Sequence, residues 1–149
     1  MTPVDSKQRQ LSLTEIVQIA GANQGEPYDL RQLMARIILE LSLPNTKHMI
    51  FGNTLFIINQ VDQRDGFMRA LNADTAQNFL ENSVQFANAA YMLGIDNLYT
   101  EFQQPSFLQV FRFIARNPMR EEMGYEFVGL PSGAFGVTFK LGPERGVVQ

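Results

Sequence analysis

The spacing of apolar positions changes several times along the chain, and the changes mark its elements. From Ser12, SLTEIVQIAG sets Leu13, Ile16, Val17 and Ala20 at helical intervals. The S-x-x-E start is a capping box, and Gly21 is the expected stop. After the turn-rich ANQGEPY, Asp29 opens DLRQLMARIILELSLP. There Leu30, Leu33, Met34, Ile37, Ile38 and Leu41 recur at the helical period, and Pro44 closes the element. Ahead of both helices, residues 1–10 read as an arm, or as a first strand if RQLSL, within 8–13, pairs into a sheet.

The middle of the chain alternates instead. HMIF, TLFIINQV and FMRAL read as three extended runs joined at Gly52-Asn53 and Asp65-Gly66, an antiparallel meander. Thr75 to Leu93 returns to helical spacing, with Ala76, Phe79, Leu80, Val84, Ala87 and Tyr91 on one face and Gly94 just past the end. NLYTEF is a short strand. Pro105 then opens PSFLQVFRFIARN, with Phe107, Val110, Phe111 and Ile114 as its stripe and Asn117-Pro118 as its end. YEFVGL and AFGVTFKL flank Pro131-Ser132-Gly133 as a last hairpin, and residues 143–149 form an exposed tail.

Composition narrows the chemistry. A chain of 149 residues, 45% hydrophobic and 18% charged, reads as one ordinary globular domain over residues 1–149. The absence of cysteine excludes disulfides, thiolate metal sites and a cysteine nucleophile. A single histidine, His48, excludes any site needing two imidazoles, so no metal is expected. The net charge of -3, with no block of Lys or Arg, provides no electrostatic footprint for nucleic acid or an anionic membrane. The opening MTPVDSKQRQ lacks the apolar core of a signal peptide, and no run approaches the roughly 20 apolar residues that span a bilayer. The chain reads as soluble and cytosolic.

The element order is helix, helix, three strands, helix, strand, helix, two strands. It resembles the GNAT superfamily of N-acetyltransferases over nearly the whole chain. FRFIARNPMREEMGYEF adds a local likeness, with Gly124-Tyr125 in the place of that family's Gly-Phe. The resemblance implies an α+β fold: a mixed, mostly antiparallel central sheet of six to seven strands flanked by about four helices. It also implies an acetyl-CoA site in the turn after the third meander strand, where glycine-rich Q/R-x-x-G-x-G/A places backbone amides and a helix N-terminus against the pyrophosphate.

The matching stretch here is LNADTAQNF: Leu71, Asn72, Ala73, Asp74, Thr75, Ala76, Gln77 and Asn78 are the candidate cofactor-binding residues. It is shorter than the family's loop, contains no glycine, and no basic residue stands between Leu71 and Tyr91. Asp74 and Gln77 make a D-x-x-Q capping box whose carboxylate is expected to fill the amides a pyrophosphate needs. Two like unit charges about 4 Å apart repel by about 4 kcal/mol at an effective dielectric near 20. That corresponds to roughly a thousandfold in affinity.

The family's general-acid tyrosine has no counterpart from Phe107 to Met123. The nearest candidates for catalysis are Glu101, Tyr99 and Tyr125, with Asp62, Asp65 and His48 as further titratable groups. Arg112, Phe113, Arg116 and Arg120 are candidates for a partner-binding face, the three arginines at four-residue intervals. Met119 and Met123 could extend it.

The shortened loop and the lack of cysteine resemble small GNAT-like proteins of tailed bacteriophages. The expectation is therefore a non-catalytic protein that needs no cofactor and binds a virion or host protein, in the host cytosol or within a virion. The alternative is an active N-acyltransferase that binds acetyl-CoA through an atypical loop, and a third reading is a small-molecule binder. Oligomeric state, homo-oligomer included, is open.

Overall fold

The computed structural model describes residues 2–23, 29–102, 124–129, 131–133 and 135–141. In chain order they form α1 (Leu13–Ala22), α2 (Leu30–Leu41), β1 (Thr46–Phe51), β2 (Thr54–Gln60), β3 (Asp65–Asn72), α3 (Ala76–Met92), β4 (Asn97–Phe102), β5 (Gly124–Gly129) and β6 (Phe135–Lys140). The fold is α+β, with hydrogen-bonded strand order β1-β2-β3-β4-β6-β5. The fourth predicted helix, opened by Pro105, lies outside the described residues, as does the tail.

The chain divides into two compact units: residues 1–59 with 68–86, and residues 60–67 with 87–149. In the first unit, α1 starts on its predicted capping box: Ser12 Oγ accepts from the Glu15 amide at 3.2 Å, and the Ser12 amide donates to Glu15 Oε1 at 3.2 Å. Asp29 caps α2 by accepting from the amides of Arg31 and Gln32. Ile16, Val17, Ile37, Leu55, Ile57, Leu71 and Ala73 form the core of this unit, so α1 and α2 bury their apolar sides against β2 and the end of β3. On the other face of β2, Phe56 stacks on Phe86 with ring centroids 4.3 Å apart. β1 and β2 pair antiparallel from Thr46↔Asn59 to Phe51↔Thr54.

In the second unit, β4 pairs antiparallel with β6 from Asn97↔Lys140 to Phe102↔Phe135. β5 and β6 pair from Gly124↔Lys140 to Gly129↔Phe135, across the predicted hairpin turn where Gly133 has φ +86°. β3 and β4 run parallel, and their ladder is three residues long, Asp65–Phe67 against Asn97–Tyr99. Ile95, Leu98, Val137, Phe139 and Leu141 are the buried apolar residues around these strands.

Several expected boundaries move. Residues 9–12 are not in a strand, and α1 runs through Gly21 to a cap at Asn23 because Gly21 lies on the helix's buried side, where tertiary packing outweighs its low helix propensity. The second meander turn is not Asp65-Gly66, which belongs to β3. It lies over residues 61–64, where Asp62 Oδ1 accepts from the amides of Arg64 and Asp65, each at 2.8 Å. A side-chain acceptor makes that turn, so no glycine is needed. Ile38, expected in the buried stripe of α2, is exposed, while Ile37 is fully buried.

Candidate functional site

Between β3 and α3 the chain passes from Leu71, buried in the core, through Asn72, Ala73, Asp74 and Thr75 into the helix. Nearly every backbone amide of this passage is committed. Ala73 donates to the Asn53 carbonyl at 3.0 Å, and Asp74 donates to Asn72 Oδ1 at 3.0 Å. The Thr75 amide donates to Asp74 Oδ1 at 2.9 Å, that of Asn78 to Thr75 Oγ1 at 3.3 Å, and that of Phe79 to the Thr75 carbonyl at 2.8 Å. Only Ala76 and Gln77, both exposed, have amides with no acceptor among the described residues.

Thr75 is therefore the cap of α3, and the predicted Asp74–Gln77 capping box does not form. Asp74 sits one residue too early and turns its carboxylate inward, where it is 1% exposed. Oδ1 accepts from the Ser6 amide at 3.1 Å, from the Thr75 amide, and from Asn78 Nδ2 at 2.9 Å. Oδ2 accepts from the Asn53 amide at 3.0 Å and from Asn82 Nδ2 at 3.0 Å. Burial by itself raises the pKa of Asp74, but hydrogen bonds from Ser6, Asn53, Asn78 and Asn82 outweigh it and hold the carboxyl far below the ordinary carboxylate range. Among the described residues, no buried side-chain polar atom lacks a partner.

The network closes around Gly52, whose φ of +56° favours glycine. A Cβ there would stand 2.6 Å from Asn82 Nδ2 and 2.7 Å from Asp74 Oδ2. Asn53, Asn78, Asn82, Ser6 and Gly52 escaped the sequence reading as members of a network. The legible sign was the four-residue spacing of Asp74, Asn78 and Asn82, which puts three polar groups on one side of a helix start.

The N-terminal arm lies over the same passage. Val4 donates its amide to the Ala73 carbonyl at 2.8 Å, and Lys7 Nζ pairs with Glu81 Oε2 at 3.2 Å. Asp5 Oδ1 accepts from Asn78 Nδ2 at 2.7 Å, so one amide group on the first turn of α3 bridges the carboxylates of Asp5 and Asp74. The positive end of the helix dipole already has two anionic neighbours from the chain itself.

The catalytic candidates stand in the second unit. Tyr99 donates its hydroxyl to Glu101 Oε1 at 3.1 Å. Burial, then the hydrogen bond to Glu101 and its charge, raise the Tyr99 pKa, so the phenol stays protonated. The Tyr99 ring meets Phe67 edge-on at 4.9 Å and lines a groove of about 330 Å³ with Val61, Asp65, Asn97 and Thr138. Tyr125 lies in β5, at the register position opposite Phe139. Arg112, Phe113, Arg116 and Arg120 fall outside the described residues, as do Met119 and Met123. Among the described residues, no three acidic or histidine side chains gather to hold a metal ion, and no helix is long and apolar enough to cross a membrane.

The chain matches no family model and no curated protein sequence. Solved structures do match it. Aminoglycoside 6'-acetyltransferase type Ii aligns with TM-score 0.61 at 9% identity, over 97% of this chain and 98% of that one. An acetyltransferase of Thermus thermophilus aligns with TM-score 0.61 at 14% identity, over 93% and 94% of the two chains. An N-acetyltransferase of Campylobacter jejuni, solved in complex with acetyl coenzyme A, aligns with TM-score 0.55 at 11% identity, over 87% and 92%. By architecture, this chain shares the fold of these acetyltransferases.

Proposed function

We propose that this acetyltransferase-fold protein has a degenerate acyl-CoA loop and acts by binding another protein, not by transferring an acyl group. The observation that carries the reading is the fate of the loop amides. Of the seven from Ala73 to Phe79, five donate within the chain and two, at Ala76 and Gln77, remain. A diphosphate needs several converging donors and tolerates no carboxylate beside them. Here Asp5 and Asp74 meet at Asn78, and no basic residue stands between Leu71 and Tyr91. The residues present do not fit the cofactor. Its exclusion rests on amides consumed within the loop and on two carboxylates, not on a helix cap by Asp74. On the resemblance to GNAT-like proteins of tailed bacteriophages, we place the partner among virion or host proteins.

A second reading has one observation in its favour. The open amides of Ala76 and Gln77 could hold a single phosphate, as expected of an N-acyltransferase with an atypical loop. Calorimetric titration with acetyl-CoA separates the two. We expect no binding up to about 1 mM, weaker than about -4 kcal/mol. Ala76 is the first residue of α3, where proline removes the N–H at little structural cost. Micromolar binding that disappears in Ala76→Pro would establish the acyltransferase reading instead.

A further inference from the structure

The outward side of α2 is apolar where an exposed helix face is ordinarily polar. Ile38, Leu39 and Leu43 are 55%, 69% and 51% exposed. With Ala35 and Ser42 they follow the i, i+3, i+4, i+7, i+8 spacing of a single helix side, which continues into the turn after Leu41. α2 leads into β1 and contacts it, and there Ile50 is 42% exposed. β1 ends the strand order, so among the described residues one edge of its backbone has no neighbouring strand.

Positive charge flanks this surface. Arg31 and Arg36 on α2 are exposed, and among the described residues neither has a carboxylate partner. Lys7, Arg9, Arg64 and Arg69 each have one. In a chain of net charge -3, a helix face with two such cations beside an apolar row is complementary to an acidic, apolar ligand.

We propose that this face docks an amphipathic helix with acidic side chains, contributed by another protein. Its apolar row would pack along Ile38, Leu39 and Leu43, and its carboxylates would pair with Arg31 and Arg36. Helical spacing of the exposed apolar residues suits ridge-into-groove contact with a second helix. A membrane is the poorer fit, because the outward face of α2 has no aromatic residue to anchor at a lipid interface. The proposal deepens the protein-binding reading, and its readout is independent of acetyl-CoA: cofactor binding would overturn that reading and leave this face untouched.

The test is fluorescence anisotropy with a labelled peptide of about 18 residues, five helical turns, carrying leucine on one side and glutamate on the other. Binding is expected, with the Kd weakened about tenfold or more in Leu39→Glu and separately in Arg36→Glu. Both positions are exposed, and circular dichroism melts matched to the parent protein confirm that each variant folds. A leucine and lysine peptide of the same design is expected not to bind. The proposal is overturned by no binding of the acidic peptide at about 1 mM, or by equal binding to the parent and both variants. It is also overturned if only phosphatidylglycerol vesicles bind, or if the face proves to hold a second copy, seen as a dimer in sedimentation velocity that Leu39→Glu dissolves.

Discussion

Asp74 is a buried charge with no countercharge among the described residues, held by five hydrogen-bond donors from Ser6, Asn53, Thr75, Asn78 and Asn82. Removing the charge leaves those donors facing an amide or a void. Asp74→Asn is expected to lower stability at pH 7 by about 3 kcal/mol. In a chain of this size that is roughly 10 °C of melting temperature. Because the folded carboxyl is held below its ordinary value, its contribution is whole above about pH 4 and is lost as the pH falls below that. Urea denaturation should therefore show parent and variant converging between roughly pH 4 and pH 2. Parallel curves would place the acid sensitivity elsewhere. Gly52→Ala, strained at φ +56° and pressed on Asp74 and Asn82, should cost about 2–4 kcal/mol. Its effect should be less than additive with Asp74→Asn, since both disturb one network. At this scale the sequence marked Asp74 as the decisive residue and misassigned its partners. A local D-x-x-Q pattern competes with donors that are remote in the chain, such as the Ser6 amide, and only the folded chain shows which wins.

Elements were legible wherever periodicity and punctuation agreed. α1, with its Ser12 cap, and the last hairpin, with Gly133, stand close to where the residues put them. Legibility failed where a side chain replaced glycine, as Asp62 does in the second meander turn. It failed again on α2, because its apolar residues extend around more than one side and spacing alone does not say which side the core takes. Among the elements, the N-terminal arm invites the most direct test. Deleting residues 2–7 removes the contacts of Val4, Asp5, Ser6 and Lys7 with the loop and α3. It should lower stability by about 2 kcal/mol in urea denaturation. It should not by itself create acetyl-CoA binding, because the amides of Ala73, Asp74, Thr75, Asn78 and Phe79 stay engaged. Calorimetric binding by the shortened chain would show that the arm alone closes the site.

For the molecule as a whole, the α+β order and the mixed sheet were readable from element succession, and solved acetyltransferases share that architecture at 9–14% identity. Function was less readable, for a physical reason. A phosphate-binding turn is recognised by glycines and free amides, and whether an amide is free depends on which way nearby side chains turn, as those of Asn72, Asp74 and Thr75 turn back to accept from the loop. Partner surfaces are more hidden still, since an exposed Leu39 and a buried Ile37 look alike in sequence. The two readings of function make opposite statements about acetyl-CoA, so the Ala76→Pro titration decides between them at this scale.

Asn53 carries one further consequence. Its side chain donates to the carbonyls of Val4 and Arg9 and accepts from the Leu11 amide, while its own amide and carbonyl engage Asp74 and Ala73. Together with the bonds of Val4, Asp5, Ser6 and Lys7, it fastens the first ten or so positions onto one loop and the start of α3, work that elsewhere in the fold is spread along a whole ladder of paired strands. Such a fastening releases in one step, so the amino terminus should behave as a hinged flap whose opening exposes the start of α3 without unravelling the sheet.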